Sequence, residues 1–274
     1  MNFWITTNPD SIQWRLAVNM KVCVYGAHGK VGTVLSSELT KMGVDLYKPQ
    51  RDIVGNADVY FLCTHREVSS YLIPNLPKNA IVIDFSGAYR KESMNGGEWS
   101  YGQISNPDLK LTNRISVAGC IASSIELALM PLSIEQDIFI TSFIGQSAKG
   151  RFSPKSTEQC RVFTHPHHYE INKFFNTSDL SFVPIIGEHE SGIMSVCQLN
   201  LDHDPMDSYR GFYKNDKSII VSDKPHKISD VVGTENTIIS IENNAGKYSI
   251  TCSLDNLYRG SATHGVRLLQ EFLK

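Results

Sequence analysis

Lys21-Val22-Cys23-Val24-Tyr25-Gly26-Ala27-His28-Gly29-Lys30-Val31-Gly32 is the stretch whose reading decides the fold. Lys21–Tyr25 is a short apolar strand, the glycines make a turn, and Thr33–Gly43 repeats apolar residues at helical spacing. Strand, glycine turn and helix in that order can cradle a phosphate. Glycine permits the tight turn and lets a pyrophosphate approach the helix N-terminus. The spacing is GxxGxxG in place of the commoner GxGxxG, so the setting carries more weight than the pattern. The cradle comprises Gly26, His28, Gly29, Lys30, Val31 and Gly32.

The alternation continues outward from that unit. Val44–Tyr47 and Ala57–Cys63 read as strands, Arg66–Ile73 as a helix, and Ala80–Phe85 as a third apolar strand. Repeated βα units with near-continuous apolar strands predict a doubly wound, Rossmann-type α/β sheet. After the second strand an NAD site usually carries an acidic residue for the ribose hydroxyls. This chain has Lys48 and Arg51 instead, with no carboxylate before Asp52. That favours a 2′-phosphate, hence NADP(H) over NAD, although a solvated loop would read the same way.

Past residue 130 the pattern changes. Asp137–Ile144, Phe182–Ile186, Gly192–Leu199, Ser218–Val221, Thr237–Ile241 and Lys247–Leu254 read as strands, several alternating apolar and polar residues. Asn243-Asn244-Ala245-Gly246 suits a hairpin between the last two, and Ser261–Phe272 closes the chain as a helix. The expected organisation is a nucleotide domain at 20–118, an inserted α+β substrate and dimerisation domain with a mixed or antiparallel sheet at 119–255, and a returning helical segment at 256–274.

Composition narrows the class. The 274 residues are 41% hydrophobic and 20% charged, with a formal net charge of −2, so no basic footprint for nucleic acid is present. Six well-separated cysteines without a CxxC pair read as reduced thiols of a cytoplasmic protein, neither a disulfide framework nor a metal site. No apolar run approaches the roughly 18 residues needed to span a membrane. Residues 1–19 lack the order of a secretory signal and read as an upstream extension or a misplaced start before Met20.

Cys120 stands in Ser116-Val117-Ala118-Gly119-Cys120-Ile121-Ala122-Ser123-Ser124, where an irregular segment is expected to turn into a helix. A thiol at a helix N-terminus meets unpaired backbone N–H groups and a favourable dipole, and ionises more readily. A small buried cysteine without chemistry is the plainer reading of one residue.

Taken together, Gly119-Cys120, Ser147-Ala148-Lys149-Gly150-Arg151, His165-Pro166-His167-His168-Tyr169-Glu170-Ile171 and Leu254-Asp255-Asn256-Leu257-Tyr258-Arg259-Gly260 resemble, in order, the N-acetyl-gamma-glutamyl-phosphate reductases. These belong with aspartate-semialdehyde dehydrogenase in a superfamily of acyl-phosphate reductases. Asp84-Phe85-Ser86-Gly87-Ala88-Tyr89-Arg90 is similar to a further family motif, and the resemblance covers about residues 20–274. It implies an NADPH-dependent enzyme of arginine biosynthesis, a homodimer or homotetramer acting on a small acyl phosphate. Cys120 is then the nucleophile, His165 the acid–base group and His167 its support. Ser86 and Asn256 join the cofactor set. Ser147, Lys149, Arg151 and Glu170 join the substrate set, with Glu170 also able to orient an imidazole. Arg90 and Arg259 read as ion-pair braces of the nucleotide domain.

Departures from the family pattern bear on the substrate. Glu190-Ser191-Gly192 stands where the family has Thr-Arg-Gly, so an expected arginine is absent, and the chain is short between the first helix and Asp58. The same chemistry on an aminoadipyl, aspartyl or specialised acyl phosphate therefore stays open, as does a catalytically silent NADP-binding protein.

Overall fold

The computed structural model describes residues 20–50, 55–149, 156–177 and 180–274, and they form two compact units. The first takes the chain up to Ala118 together with Ser261–Lys274, and the second is Gly119–Gly260. Asn256–Gly260, grouped from sequence with the returning helix, thus belong to the second unit. Residues 1–19 and Arg51 lie outside the described residues.

The first unit is built on an all-parallel six-stranded sheet in the order β2-β1-β3-β4-β6-β5. Its strands are β1 (Val22–Tyr25), β2 (Leu46–Tyr47), β3 (Val59–Leu62), β4 (Ile81–Asp84), β5 (Ser100–Gly102) and β6 (Arg114–Val117). Every residue of β1, β3 and β4 is buried, as parallel strands covered on both faces require. Helices α1 (Lys30–Lys41), α2 (Arg66–Leu72) and the single turn α3 (Arg90–Ser93) connect them. The segment before Cys120, expected to be irregular, is strand β6 followed by Ala118 and Gly119.

In the second unit a seven-stranded mixed sheet runs in the order β11-β12-β13-β10-β7-β9-β8. The strands are β7 (Ile138–Ile144), β8 (Glu158–Gln159), β9 (Leu180–Ile186), β10 (Ile193–Asn200), β11 (Ile219–Ser222), β12 (Thr237–Asn244) and β13 (Lys247–Leu254). Pairings β7–β9 and β11–β12 are parallel and the others antiparallel. Ala245 (φ 50°) and Gly246 (φ 85°) join β12 to β13, two consecutive left-handed residues as a tight hairpin demands.

Helix α4 (Cys120–Leu129) packs on this sheet, and all of it beyond Cys120 is buried. Pro131 cannot donate to the Leu127 carbonyl, so the helix end leaves acceptors to be met from elsewhere. Tyr213, from helix α6 (Met206–Tyr213), donates its hydroxyl to Leu127 O at 2.6 Å, and Tyr209 donates to Ala128 O. At the other end, Ser124 Oγ lies 2.6 Å from Ser195 Oγ, which lies 2.7 Å from Ser142 Oγ. Small hydroxyl residues let the helix approach the strands and fix its rotation, and hence the direction of Cys120. The chain closes with α7 (Thr263–Phe272), two residues later than expected because a π-turn at Tyr258–Ala262 precedes it.

Candidate functional site

Cys120 is the first residue of α4, and Gly119 caps it with extended backbone (φ −64°, ψ 144°). Glycine at 119 has a steric reason. A Cβ there would lie 2.2 Å from Nε2 of His167, so the imidazole rests directly on the peptide preceding Cys120. Gly260 serves similarly on another side, where a Cβ would come within 2.9 Å of the Cys120 Cβ.

His167 and Glu170 come from helix α5 (Pro166–Phe175), which the sequence reading did not anticipate. They are three positions apart and share a face. Glu170 accepts the Gly119 N–H at 2.9 Å through Oε2, and its Oε1 lies 3.6 Å from His167 Nε2. His165 stands just before this helix, its ring centre 4.6 Å from that of His167. Its Nδ1 accepts the His167 N–H at 3.2 Å, capping α5 with Pro166 at the first helical position. The structure therefore brings His167 and Glu170 to the Cys120 segment, while His165 shapes the helix start. His168 turns to the Phe182 carbonyl at 3.2 Å, and burial lowers its pKa. Gly119 N–H is engaged by Glu170 and so is not a donor to an oxyanion at this helix start.

Four other thiols are held protonated by burial. Cys23 is pushed up to about 12, and Cys63, Cys197 and Cys252 are raised further. None of these four is a nucleophile near neutral pH.

Ser147 and Asn256 meet within the second unit. Asn256 Nδ2 donates to Ser147 Oγ at 2.8 Å and its Oδ1 accepts the Gly192 N–H at 2.8 Å. Asn256, expected against a cofactor, thus knits Ser147 to the segment where the family arginine is missing. Ser191 there donates to Asp255 Oδ2 at 3.2 Å. Lys149 ends the helical turn Gln146–Lys149, while its side chain, Gly150 and Arg151 lie outside the described residues. Arg259 is fully buried 3.7 Å from Asp216 Oδ2, an ion pair within the second unit. Arg90 donates to the carbonyls of Val117 (2.9 Å) and Phe85 (3.1 Å), bracing the first unit through backbone acceptors.

The glycine turn of the first unit is packed so closely that only glycine fits it. Gly26 adopts φ 73°, and a Cβ there would lie 2.3 Å from Cys63 O. At Gly32 it would lie 2.1 Å from Gly26 O, so only glycine lets the helix pack on the turn. Helix α1 starts at Lys30, three residues earlier than expected, which puts Lys30, Val31 and Gly32 in its first turn behind the Gly29 cap. A cavity of about 420 Å³ beside it is lined by His28, Thr33, Ser37, Lys41 and Lys48, among others. Ser86 lies apart from this lining, its Oγ accepting the Ala88 N–H at 3.1 Å. Among the described residues no cluster of three His, Cys, Asp or Glu could hold a metal, and no helix is long and apolar enough to cross a membrane.

A glycine-turn α/β unit is thus joined in one chain to a mixed-sheet unit that carries a cysteine at a helix start. Residues 120–256, half of the chain, match the family model described as the semialdehyde dehydrogenase dimerisation domain. The chain belongs to the semialdehyde dehydrogenase family, and is an oxidoreductase. It is 27% identical over 282 residues to the N-acetyl-gamma-glutamyl-phosphate reductase of Flavobacterium johnsoniae, covering 88% of this chain and 86% of that one. Its likeness to the reductase of the same name from Karelsulcia muelleri is 27% over 243 residues, covering 79% and 75%. The crystal structure of aspartate semialdehyde dehydrogenase II from Vibrio cholerae superposes with a TM-score of 0.75 at 16% identity, covering 93% and 98%, a likeness of fold.

Proposed function

We propose that this protein reduces an acyl phosphate, N-acetyl-gamma-glutamyl phosphate foremost, to the semialdehyde through a thioester on Cys120, in arginine biosynthesis. The observation that carries the reading is the seating of the His167 imidazole on Gly119, immediately before a cysteine that opens a helix. The names of the relatives supply the substrate class.

Cys120 Sγ attacks the acyl carbon as thiolate, and the carbon–oxygen bond to phosphate breaks with its electrons leaving on inorganic phosphate. His167 takes the thiol proton and gives it to the oxygen of the hemithioacetal that forms on Cys120 when the thioester is reduced. It takes that proton back as the carbon–sulfur bond breaks, the aldehyde leaves and Cys120 is returned as thiolate. Backbone amides after Cys120 meet the negative charge on oxygen in the tetrahedral species. Bound NADPH supplies the hydride that converts the thioester to the aldehyde. Gly26, Gly29 and Gly32 fit its pyrophosphate, because a Cβ at Gly26 would strike Cys63 O and one at Gly32 would strike Gly26 O, so only glycine allows the tight turn into the start of α1. His28, Lys30 and Val31 flank that cradle, and Lys48, on the wall of the adjoining cavity, serves a 2′-phosphate.

A homodimer, or a tetramer built from it, accompanies this reading. The outer face of β7 leaves Phe139 63% and Phe143 39% exposed, beside Met194 in the register of β10. Such a face on a unit matching a dimerisation domain suits a second copy. The second substrate reading keeps the chemistry on another acyl phosphate, favoured by Ser191 in place of the family arginine. Purified protein with a panel of semialdehydes, phosphate and NADP⁺, followed by absorbance of the reduced nicotinamide, tests both. Turnover fastest with N-acetylglutamate semialdehyde supports the first, turnover fastest with another aldehyde supports the second, and none with any aldehyde refutes both.

A further inference from the structure

Glu170 is 2% exposed, and a buried carboxylate is costly unless donors or charges meet it. Its two oxygens meet different groups: Oε2 the Gly119 N–H at 2.9 Å, Oε1 the His167 imidazole at 3.6 Å. We propose that Glu170 is a positioning residue that locks the Cys120 peptide and the His167 ring into one register. This rests on the assignment of Cys120 and His167 above.

The linkage runs through the chain in definite steps. His165 caps α5 by accepting the His167 N–H, which fixes the first turn of the helix. The helix then sets the spacing of His167 and Glu170, three positions apart. Glu170 reaches across to α4 and holds the amide one residue before the nucleophile. Its charge also favours a protonated imidazole beside Cys120, and an imidazolium in turn favours the thiolate. A carboxylate buried this far, with both oxygens on protein groups, is poorly disposed to take a substrate, so of the two roles the resemblance implied for Glu170 the geometry favours orienting an imidazole. Other ionisable groups nearby are accounted for. The His165 ring centre is 4.6 Å from that of His167, His168 faces the Phe182 carbonyl, and Glu126 is buried further along α4.

Glu170→Gln tests the proposal, because it keeps an oxygen for Gly119 N–H and removes only the charge. In the full protein without substrate, the rate of Cys120 labelling by iodoacetamide at pH 7 should fall about tenfold, since the imidazole supports the thiolate less. Faster labelling would mean the carboxylate merely repels the thiolate, and an unchanged rate that it merely braces the fold; either overturns the proposal. In turnover, kcat should fall about 10–100-fold, short of losing the acid–base group itself, with KM nearly constant. A tenfold rise in KM at constant kcat would make Glu170 a substrate ligand and overturn it too. Should Glu170→Gln not fold, Glu170→Asp, which keeps the charge but withdraws it by one methylene, decides by the same measurements, with partial losses expected. Labelling requires no substrate, so a wild type inactive on every acyl phosphate that still shows the labelling contrast would count against the proposed reaction and not against the positioning role.

Discussion

At the scale of single residues, His167→Ala removes the imidazole seated on Gly119, and kcat should fall by about 10²–10⁴-fold, the range for a positioned acid–base group. His165→Ala removes a helix cap, so it should cost about 0.5–2 kcal/mol of stability and only a few-fold in rate. Thermal unfolding and steady-state kinetics on both variants check the pair, and the reverse ranking would return the acid–base role to His165. The sequence showed the cluster, and the resemblance placed His165 ahead of His167, the opposite of the order the geometry favours. Three histidines within four positions look alike until the helix start is known, and that start depends on an imidazole nitrogen acting as cap. Glycine at 119 was visible as a residue, yet its reason, a ring from fifty positions away lying where a Cβ would sit, was not.

At the scale of elements, the strand, glycine turn and helix that open the first unit were legible because they are contiguous and each obeys local chemistry. Strands β5 and β6 escaped notice because they are three and four residues long and carry little apolar run. Helix α6 escaped because its buried face is two tyrosines, whose task is to satisfy the carbonyls at the end of α4. Tyr213→Phe should therefore destabilise the protein by about 1–3 kcal/mol, the cost of a buried acceptor left unpaired, in denaturant unfolding. At the cradle, NADPH should bind at least tenfold more tightly than NADH, about 1.4 kcal/mol, and Lys48→Ala should erode that preference. Equal affinities of the native protein in fluorescence titration would remove Lys48 from the 2′-phosphate.

At the scale of the molecule, two units of different sheet logic share one chain: one parallel and covered on both faces, one mixed with an apolar outer face. If that face seats a second copy, Phe139→Asp with Phe143→Asp should shift light-scattering mass from dimer or larger to monomer, with the fold retained by circular dichroism. A native protein already monomeric at micromolar concentration would contradict the assignment. The central claim is the covalent step, and it can be isolated by withholding the nucleotide. Protein mixed with N-acetyl-gamma-glutamyl phosphate alone should release one equivalent of phosphate and carry one acyl group, which peptide mass spectrometry places on Cys120; Cys120→Ser should show neither. No adduct on Cys120 together with undiminished turnover by Cys120→Ser would contradict the thioester account.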